Sequence, residues 1–570
     1  TQPIPEPALP VVQVATPVAQ SAKPAPADKW ETEWSRKLGI KLLQEFDSSG
    51  EPAWDPSKHP LVFVTSLGPG YGGLLSTDVN LPGLTIIDAN TYEVVASRQF
   101  DLGYQAHYEP HGLGVSPDGR WFYVPTADGK YDLSKGDTPG RWLVVDAKTL
   151  KLHQVIGTRS VPHHASSYVD ADGNPRVLAY DFNWQISTNS IMRPGSGIYT
   201  FDPADNNRVV GGINADVLQA NPYLAFASPD AQWIFVGLPP GPIGDPDVRH
   251  HLEGLFAQVD AKTWQPVKYY KMGYDPIWAA FSSDDQFVYL CDGGSDEVFK
   301  VDLQAQAVVG EARTGVHGAY GCHLGWDDTN LWTIEKGESS HNRGKNIGLV
   351  DVGVMSPVDN WNTGWIRADH GTVHPNPDRN ELWVTANSSF EVVVWDMGNR
   401  TVKMRIPMPG GGSTHSGAFV EYRPDFTGVV LADQSGLHGK ALQAKRDLLG
   451  VTVSASETTS TSAEGQAKPS TVMSQPEPAT VEVEMGETYF KPNQISVQVG
   501  QEVTFHGKNV GVVGHQMVVY PLTGTTVLAG NQDLIAPKED VTFTWKPDKP
   551  GTYRLVCNLH PGMQGLITVK

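Results

Sequence analysis

From about His59 to Gln434, short apolar runs recur behind a polar turn. Trp121-Phe122-Tyr123-Val124 follows Ser116-Pro117-Asp118-Gly119, and Trp233-Ile234-Phe235-Val236 follows Ser228-Pro229-Asp230. The turn signal returns at Asp170-Ala171-Asp172-Gly173, Ser282-Ser283-Asp284-Asp285, Trp326-Asp327-Asp328, Asn376-Pro377-Asp378 and Arg423-Pro424-Asp425. Most units carry a further run ending in Val-Asp or a similar pair, as in Leu143-Val144-Val145-Asp146 and Val298-Phe299-Lys300-Val301-Asp302. Runs this short, bounded by Gly, Pro, Asn and Asp, read as strands. An all-β repeat of about fifty residues predicts propeller blades. Leu61–Val64, Leu84–Asp88 and Glu93–Val95 precede the first turn. They read as outer strands of a blade whose inner strand comes last, near Ser416–Tyr422. Such a blade closes a seven-bladed ring and leaves no open sheet edge.

The flanks differ in pattern. Residues 1–28 form an arm rich in Pro, Ala and Val, whose composition cannot bury a core. Residues 29–58 read as a helical lead-in: Trp30, Trp34, Leu38, Leu42, Leu43 and Phe46 recur at helical spacing. The ring is expected over 59–440. Residues 441–478, rich in Ser, Thr, Ala, Glu and Pro, read as a flexible linker. Short strands resume over 479–570: Gln494–Val499, Glu502–His506, Gln516–Tyr520, Val541–Trp545, Thr552–Val556 and Leu566–Lys570.

Composition removes several classes of function. The chain has 570 residues and a formal charge of −20, which argues against nucleic acid or an anionic membrane as partner. No apolar run reaches the length of a membrane span. Three cysteines cannot build a disulfide framework, and no Cys-x-x-Cys-His motif marks an attached c-type haem. Cys291 and Cys322 either pair as one disulfide or stay as buried thiols. The chain begins at Thr1, as expected of a periplasmic product after signal removal.

The most informative chemistry lies in Cys557-Asn558-Leu559-His560-Pro561-Gly562-Met563. Thiolate with imidazole selects copper or zinc, and a nearby thioether favours copper. Two His, one Cys and a weak axial Met make the trigonal site of an electron-transfer copper. His515, in Val513-Gly514-His515-Gln516-Met517, is placed to supply the fourth ligand. His506 reads as a surface strand residue. In ligand types, order, spacing and strand context this region resembles the cupredoxin family. The resemblance implies a type 1 copper held by His515, Cys557, His560 and Met563. The fold class expected is therefore all-β: a seven-bladed β-propeller followed by a Greek-key cupredoxin sandwich.

Aligning the repeats puts histidines at one position, at the start of the innermost strand: His111, His163 or His164, His317, His370 and His415. The remaining blades have Asn221-Pro222 and Asp275-Pro276 there. A second set, His107, His163, His323 and His374, lies within a few residues. Blade-edge histidines also serve packing. Five imidazoles brought to one axis nonetheless suit a polynuclear copper site. Asp275 or Glu109 is the candidate general base; capping the turn before Pro276 is the alternative role for Asp275.

A propeller with axial histidines ahead of a cupredoxin resembles nitrous oxide reductase. An axis of five histidines and an aspartate resembles thiocyanate dehydrogenase. The single Cys in the last domain excludes a dinuclear, two-Cys copper there. The stretch Thr65–Gly73 holds no lysine to match the dehydrogenase's active-site lysine. The resemblances imply a copper cluster that acts on a small anion or gas, with thiocyanate-like oxidation favoured over nitrogen-oxide reduction. A propeller serving only as a docking or metal-binding module is the non-enzymatic alternative. Expected partners are the small substrate and an external c-type cytochrome or cupredoxin. The nitrous oxide reductase resemblance adds an exchanged homodimer.

Overall fold

The structure is a computed structural model. It describes residues 22–23, 27–68, 81–103, 111–128, 138–182, 197–218, 220–239, 254–337, 344–364, 367–409, 412–451, 478–486, 490–492, 494–521, 527–559 and 563–570. The chain divides into two compact units.

The larger unit contains seven antiparallel sheets among the described residues. Blade 1 runs Gly114–Val115, Trp121–Ala127, Gly140–Asp146 and Leu152–Thr158, from the inside outward. Blade 2 starts at Val161–Val169, blade 3 at Leu224–Ala227 and blade 4 at Pro276–Phe281. Blade 5 starts at Ala319–Leu324 and blade 6 at Ala368–Val373. Blade 7 takes its inner strand, Ser413–Tyr422, from the end of the unit, and its outer strands, Leu61–Gly68, Gly83–Asp88 and Val94–Gln99, from the beginning. Val62 pairs with Val420 in this closure. Each inner strand abuts the next around the ring, and blade 7 abuts blade 1.

The recurring turn has a local cause. The Ser116 hydroxyl donates to the Asp118 carboxylate and accepts the Trp121 N–H. Ser228 with Asp230, and Ser282 with Asp284, repeat the arrangement. Satisfying the backbone at the turn fixes where the second strand begins. Strands buried on both faces then stack blade on blade. The core between blades 7 and 1 packs Val62, Val64, Phe122, Val124, Leu143 and Val420.

Two segments differ from their sequence reading. The lead-in is a short helix, Glu33–Leu38, followed by a strand, Lys41–Phe46. Gly39, at φ 69°, ends the helix in the left-handed region. The strand then joins the outer edge of blade 1, with Leu42 opposite Ile156. The linker region opens with a helix, Gly439–Leu449, built from the strong helix formers Ala, Leu, Gln, Lys and Arg. Past its inner strand, blade 7 adds Gly428–Asp433 on the far side of Ser413–Tyr422. There the Asp433 carboxylate accepts the Ser167 N–H of blade 2, at 2.8 Å.

In the smaller unit, one sheet orders Phe490–Lys491, Ala479–Met485, Val503–Asn509 and Asp540–Trp545. The other orders Gln494–Val497, Gln564–Val569, Gly551–Val556, His515–Pro521 and Ala529–Ile535. Val483, Phe505, Met517, Val519, Leu555 and Ile567 fill the space between them. No helix among the described residues is long and apolar enough to cross a membrane.

Candidate metal centres

In the sandwich, His515 opens one strand and Cys557 directly follows its neighbour. Pairing of Val518 with Val556 brings them side by side. His515 Nδ1 lies 3.8 Å from Cys557 Sγ. With metal bonds of about 2.0–2.3 Å, that separation subtends roughly 120–130° at a shared ion, the angle of a trigonal site. The Gln516 N–H donates to the sulfur at 3.2 Å, which stabilises thiolate charge. The Cys557 N–H donates to the Met563 carbonyl at 3.0 Å and closes the loop. His515, Cys557 and Met563 are all buried, the last two within the domain core. These donors fit copper. His560 lies outside the described residues. His506 is an exposed strand residue paired with Glu482.

An apolar rim surrounds this end of the sandwich in sequence. Val510, Val512 and Val513 precede His515, Leu534 precedes the Ile535 that pairs with it, and Leu559 follows Cys557. All five are exposed, Val512 at 80%.

At the propeller axis the inner strands converge. His111 stacks on His415 with ring centroids 4.1 Å apart and lies 4.8 Å from His163. His163 and His164 meet edge to face at 4.2 Å. His164 Nε2 stands 3.2 Å from His370 Nε2. These five imidazoles, from the blade 1 approach and from blades 2, 6 and 7, are buried. Burial holds His111, His163 and His164 well below the ordinary imidazole range, with neighbouring charges adding to it. His370 is brought down to about 4 by burial, against the pull of Asp369. The rings of His111, His163, His164 and His370 are neutral at pH 7, the form that binds metals.

Other blades supply groups that local sequence did not mark. The His163 Nδ1–H donates to the Tyr223 carbonyl at 2.8 Å, and the two rings stack. His164 Nδ1 faces Gln434 Oε1 at 2.5 Å. Asp369 lies 3.0 Å from His370 Nδ1 and 2.9 Å from His415 Nδ1. Lys336, 1% exposed, stands 3.4 Å from Asp369 and 3.6 Å above the Tyr320 ring. Burial raises the Asp369 carboxyl, but Lys336, His370 and His415 outweigh it and hold the group well below the carboxylate range. Trp278 and Tyr320 wall the His370 side.

The remaining candidates stand elsewhere. His317 is 78% exposed and paired with Asp296 at 3.0 Å, which raises its pKa. Gly315 and Gly318, both at positive φ, turn the chain there. Blade 5 reaches the axis through Tyr320 and Lys336 instead. His323 accepts the Gly371 N–H, and His374 accepts the Asn376 N–H with its ring on Phe419. Both tie neighbouring backbone. Asp275 is buried at the head of blade 4, its N–H donated to Asp292. The carboxylate that meets His370 and His415 is Asp369. His107 and Glu109 lie outside the described residues. Cys291 and Cys322 are buried free thiols, so the disulfide reading does not hold in this structure.

The family model for the cupredoxin-like domain matches residues 452–569. Plastocyanin of Ginkgo biloba is 35% identical over 93 residues, 15% of this chain and 91% of the plastocyanin. With the His515–Cys557 geometry, these findings define a copper protein of the electron-transfer class. Through this domain the chain belongs to the cupredoxin family. Among solved structures it is similar to dihydro-heme d1 dehydrogenase NirN in complex with DHE, at 17% identity and TM-score 0.39, covering 68% of this chain and 73% of that one. It is also similar to the Pseudomonas aeruginosa periplasmic gluconolactonase PpgL, at 16% identity and TM-score 0.43, covering 63% and 99%. The propeller itself is defined by its strand topology.

Proposed function

We propose that the chain is a periplasmic copper oxidoreductase whose propeller axis converts a small sulfur- or nitrogen-containing molecule. Its cupredoxin domain exchanges the electrons with an external c-type cytochrome or cupredoxin. The observation that carries this reading is the convergence of His111, His163, His164, His370 and His415, all buried, at one axis. A packing role does not explain this set, because five imidazoles stripped of water gain nothing over apolar side chains unless their nitrogens are used. Copper bound there supplies electron exchange and polarisation of the substrate.

The chain's own residues set the conditions. Trp278, Tyr223 and Tyr320 keep the site dry, which strengthens every charge interaction in it. Lys336 presents an ammonium beside the imidazoles. A buried cation favours an anionic substrate, so thiocyanate-like oxidation stands ahead of reduction of a neutral nitrogen oxide. The two remaining readings are a nitrogen-oxide reductase and a non-enzymatic metal-binding or docking propeller.

Elemental analysis of the full chain tests this. Three or more copper atoms per chain are expected, and His370→Ala should lower the count and abolish turnover of small anions while leaving the blue band. One copper per chain, lost with Cys557→Ser, would confine the metal to the sandwich and refute the reading.

A further inference from the structure

Three contacts link Asp369, His370, His164 and Gln434 in succession. Asp369 Oδ1 faces His370 Nδ1 at 3.0 Å, His370 Nε2 faces His164 Nε2 at 3.2 Å, and His164 Nδ1 faces Gln434 Oε1 at 2.5 Å. Each contact sets two potential acceptor atoms against one another. Each therefore needs a proton or another cation between them. Two neutral imidazoles bring two protons to three contacts.

Geometry decides where the protons go. The second and third contacts have hydrogen-bond geometry. Gln434 Nε2 faces the Ala165 carbonyl and the Tyr180 hydroxyl, which turns its Oε1 toward His164. The His164 Nδ1–H therefore donates to Gln434. The His370 Nε2–H donates to His164 Nε2. The first contact is left with a lone pair on His370 Nδ1 opposite a carboxylate. Asp369 Oδ1 is ion-paired with Lys336 at 3.4 Å, but neither it nor His370 Nδ1 makes a hydrogen bond among the described residues.

We propose that Asp369, His370 and His415 bind a metal ion, through the Asp369 carboxylate and the Nδ1 atoms of both imidazoles. The three residues offer ligand atoms within 4.8 Å of one another in a fully buried cluster. Oδ1 with His370 Nδ1 at 3.0 Å, and Oδ2 with His415 Nδ1 at 2.9 Å, each subtend about 90° at an ion bound at about 2.0–2.1 Å. Mixed nitrogen and oxygen donors at that angle suit tetragonal Cu(II). The Asn387 amide donates to Asp369 Oδ2 at 2.7 Å and orients the carboxylate. The copper assignment rests on the proposed metal centre at the axis. It differs from an all-imidazole set in making a carboxylate a ligand.

The test compares the full-length wild type with Asp369→Asn and with the Asp369→Asn/Lys336→Met double variant. The double variant removes the Lys336 ammonium together with the Asp369 carboxylate and stands in if the single one misfolds. Each is stripped of metal and titrated with Cu²⁺ and, separately, with Co²⁺. The variants should bind one ion fewer per chain than the wild type while keeping the blue band of the Cys557 site. Variants that bind the wild-type number of both ions overturn the proposal. A wild type that takes a single Cu²⁺ refutes the copper oxidoreductase reading alone. In that case, Co²⁺ bound by the wild type and missing from the double variant still upholds the Asp369 site, and equal Co²⁺ binding overturns it.

Discussion

His515 Nδ1 and Cys557 Sγ stand 3.8 Å apart across paired strands, 42 residues distant in the chain. Pairing of the two strands holds the two atoms at a separation that a shared copper ion would span. Cys557→Ser should abolish the blue charge-transfer band and the copper bound in this domain. Met563→Leu should keep the colour and raise the reduction potential, since it removes only the weak axial donor that favours the oxidised ion. Visible spectra and protein-film voltammetry check both outcomes.

Asn509 holds the approach to that site. Its buried amide donates to the Val513 carbonyl at 2.8 Å and the Ile535 carbonyl at 2.9 Å, while its Oδ1 accepts the Gly511 N–H. It thus ties the loop before His515 to the strand opposite. Asn509→Ala leaves the buried Ile535 carbonyl and the Val513 carbonyl without these donors, at a cost of about 1–3 kcal/mol. Chemical denaturation should show that loss, and a chelator should remove copper faster from the variant.

The parts of the fold legible in sequence are those set by local chemistry. The Ser116–Asp118 turn satisfies its own backbone within six residues, so each blade announces itself. Cys557 to Met563 carry ligand types in close order. The strand Lys41–Phe46 was hidden because Leu38, Leu42 and Phe46 also fit a helix face. The left-handed Gly39 and the open edge of blade 1 decided otherwise. At the axis, His111, His164, His370 and His415 were readable from their shared place in the repeat. Asp369, Lys336 and Gln434 were not, since Gln434 meets His164 from 270 residues away and no spacing rule reaches that far. Asp369 directly precedes His370, an acid beside a candidate ligand, and is the one signal that could have been followed. His317 occupied the right repeat position and was turned outward by its flanking glycines.

Val512, 80% exposed, belongs to the apolar rim beside His515. A surface this apolar next to an electron-transfer site suits a partner's face. Val512→Lys should change stability by no more than about 0.5 kcal/mol. It should also slow electron exchange with a cytochrome c or cupredoxin partner. Stopped-flow mixing at several salt concentrations measures this, and an unchanged rate at every salt would separate the rim from the docking face.

Asp181 supplies a pH dependence away from the metal centres. It is fully buried, and its Oδ1 accepts the Tyr199 hydroxyl at 2.6 Å, which in turn accepts the Trp142 indole N–H. Burial pushes its pKa up to about 8, against the hydrogen bonds from Tyr199 and Thr158. A raised folded pKa means that the fold binds a proton which the unfolded chain releases above about 4. Its contribution is complete below that value and is lost as pH rises toward about 8, by up to about 1.4 kcal/mol per pH unit. Asp181→Asn keeps an acceptor for Tyr199 and carries no titrating proton. Thermal unfolding should show the variant gaining on the wild type between pH 5 and 8 (a window taken from the two pKa values). Parallel unfolding profiles across that range would mean that Asp181 is ionised in the folded protein.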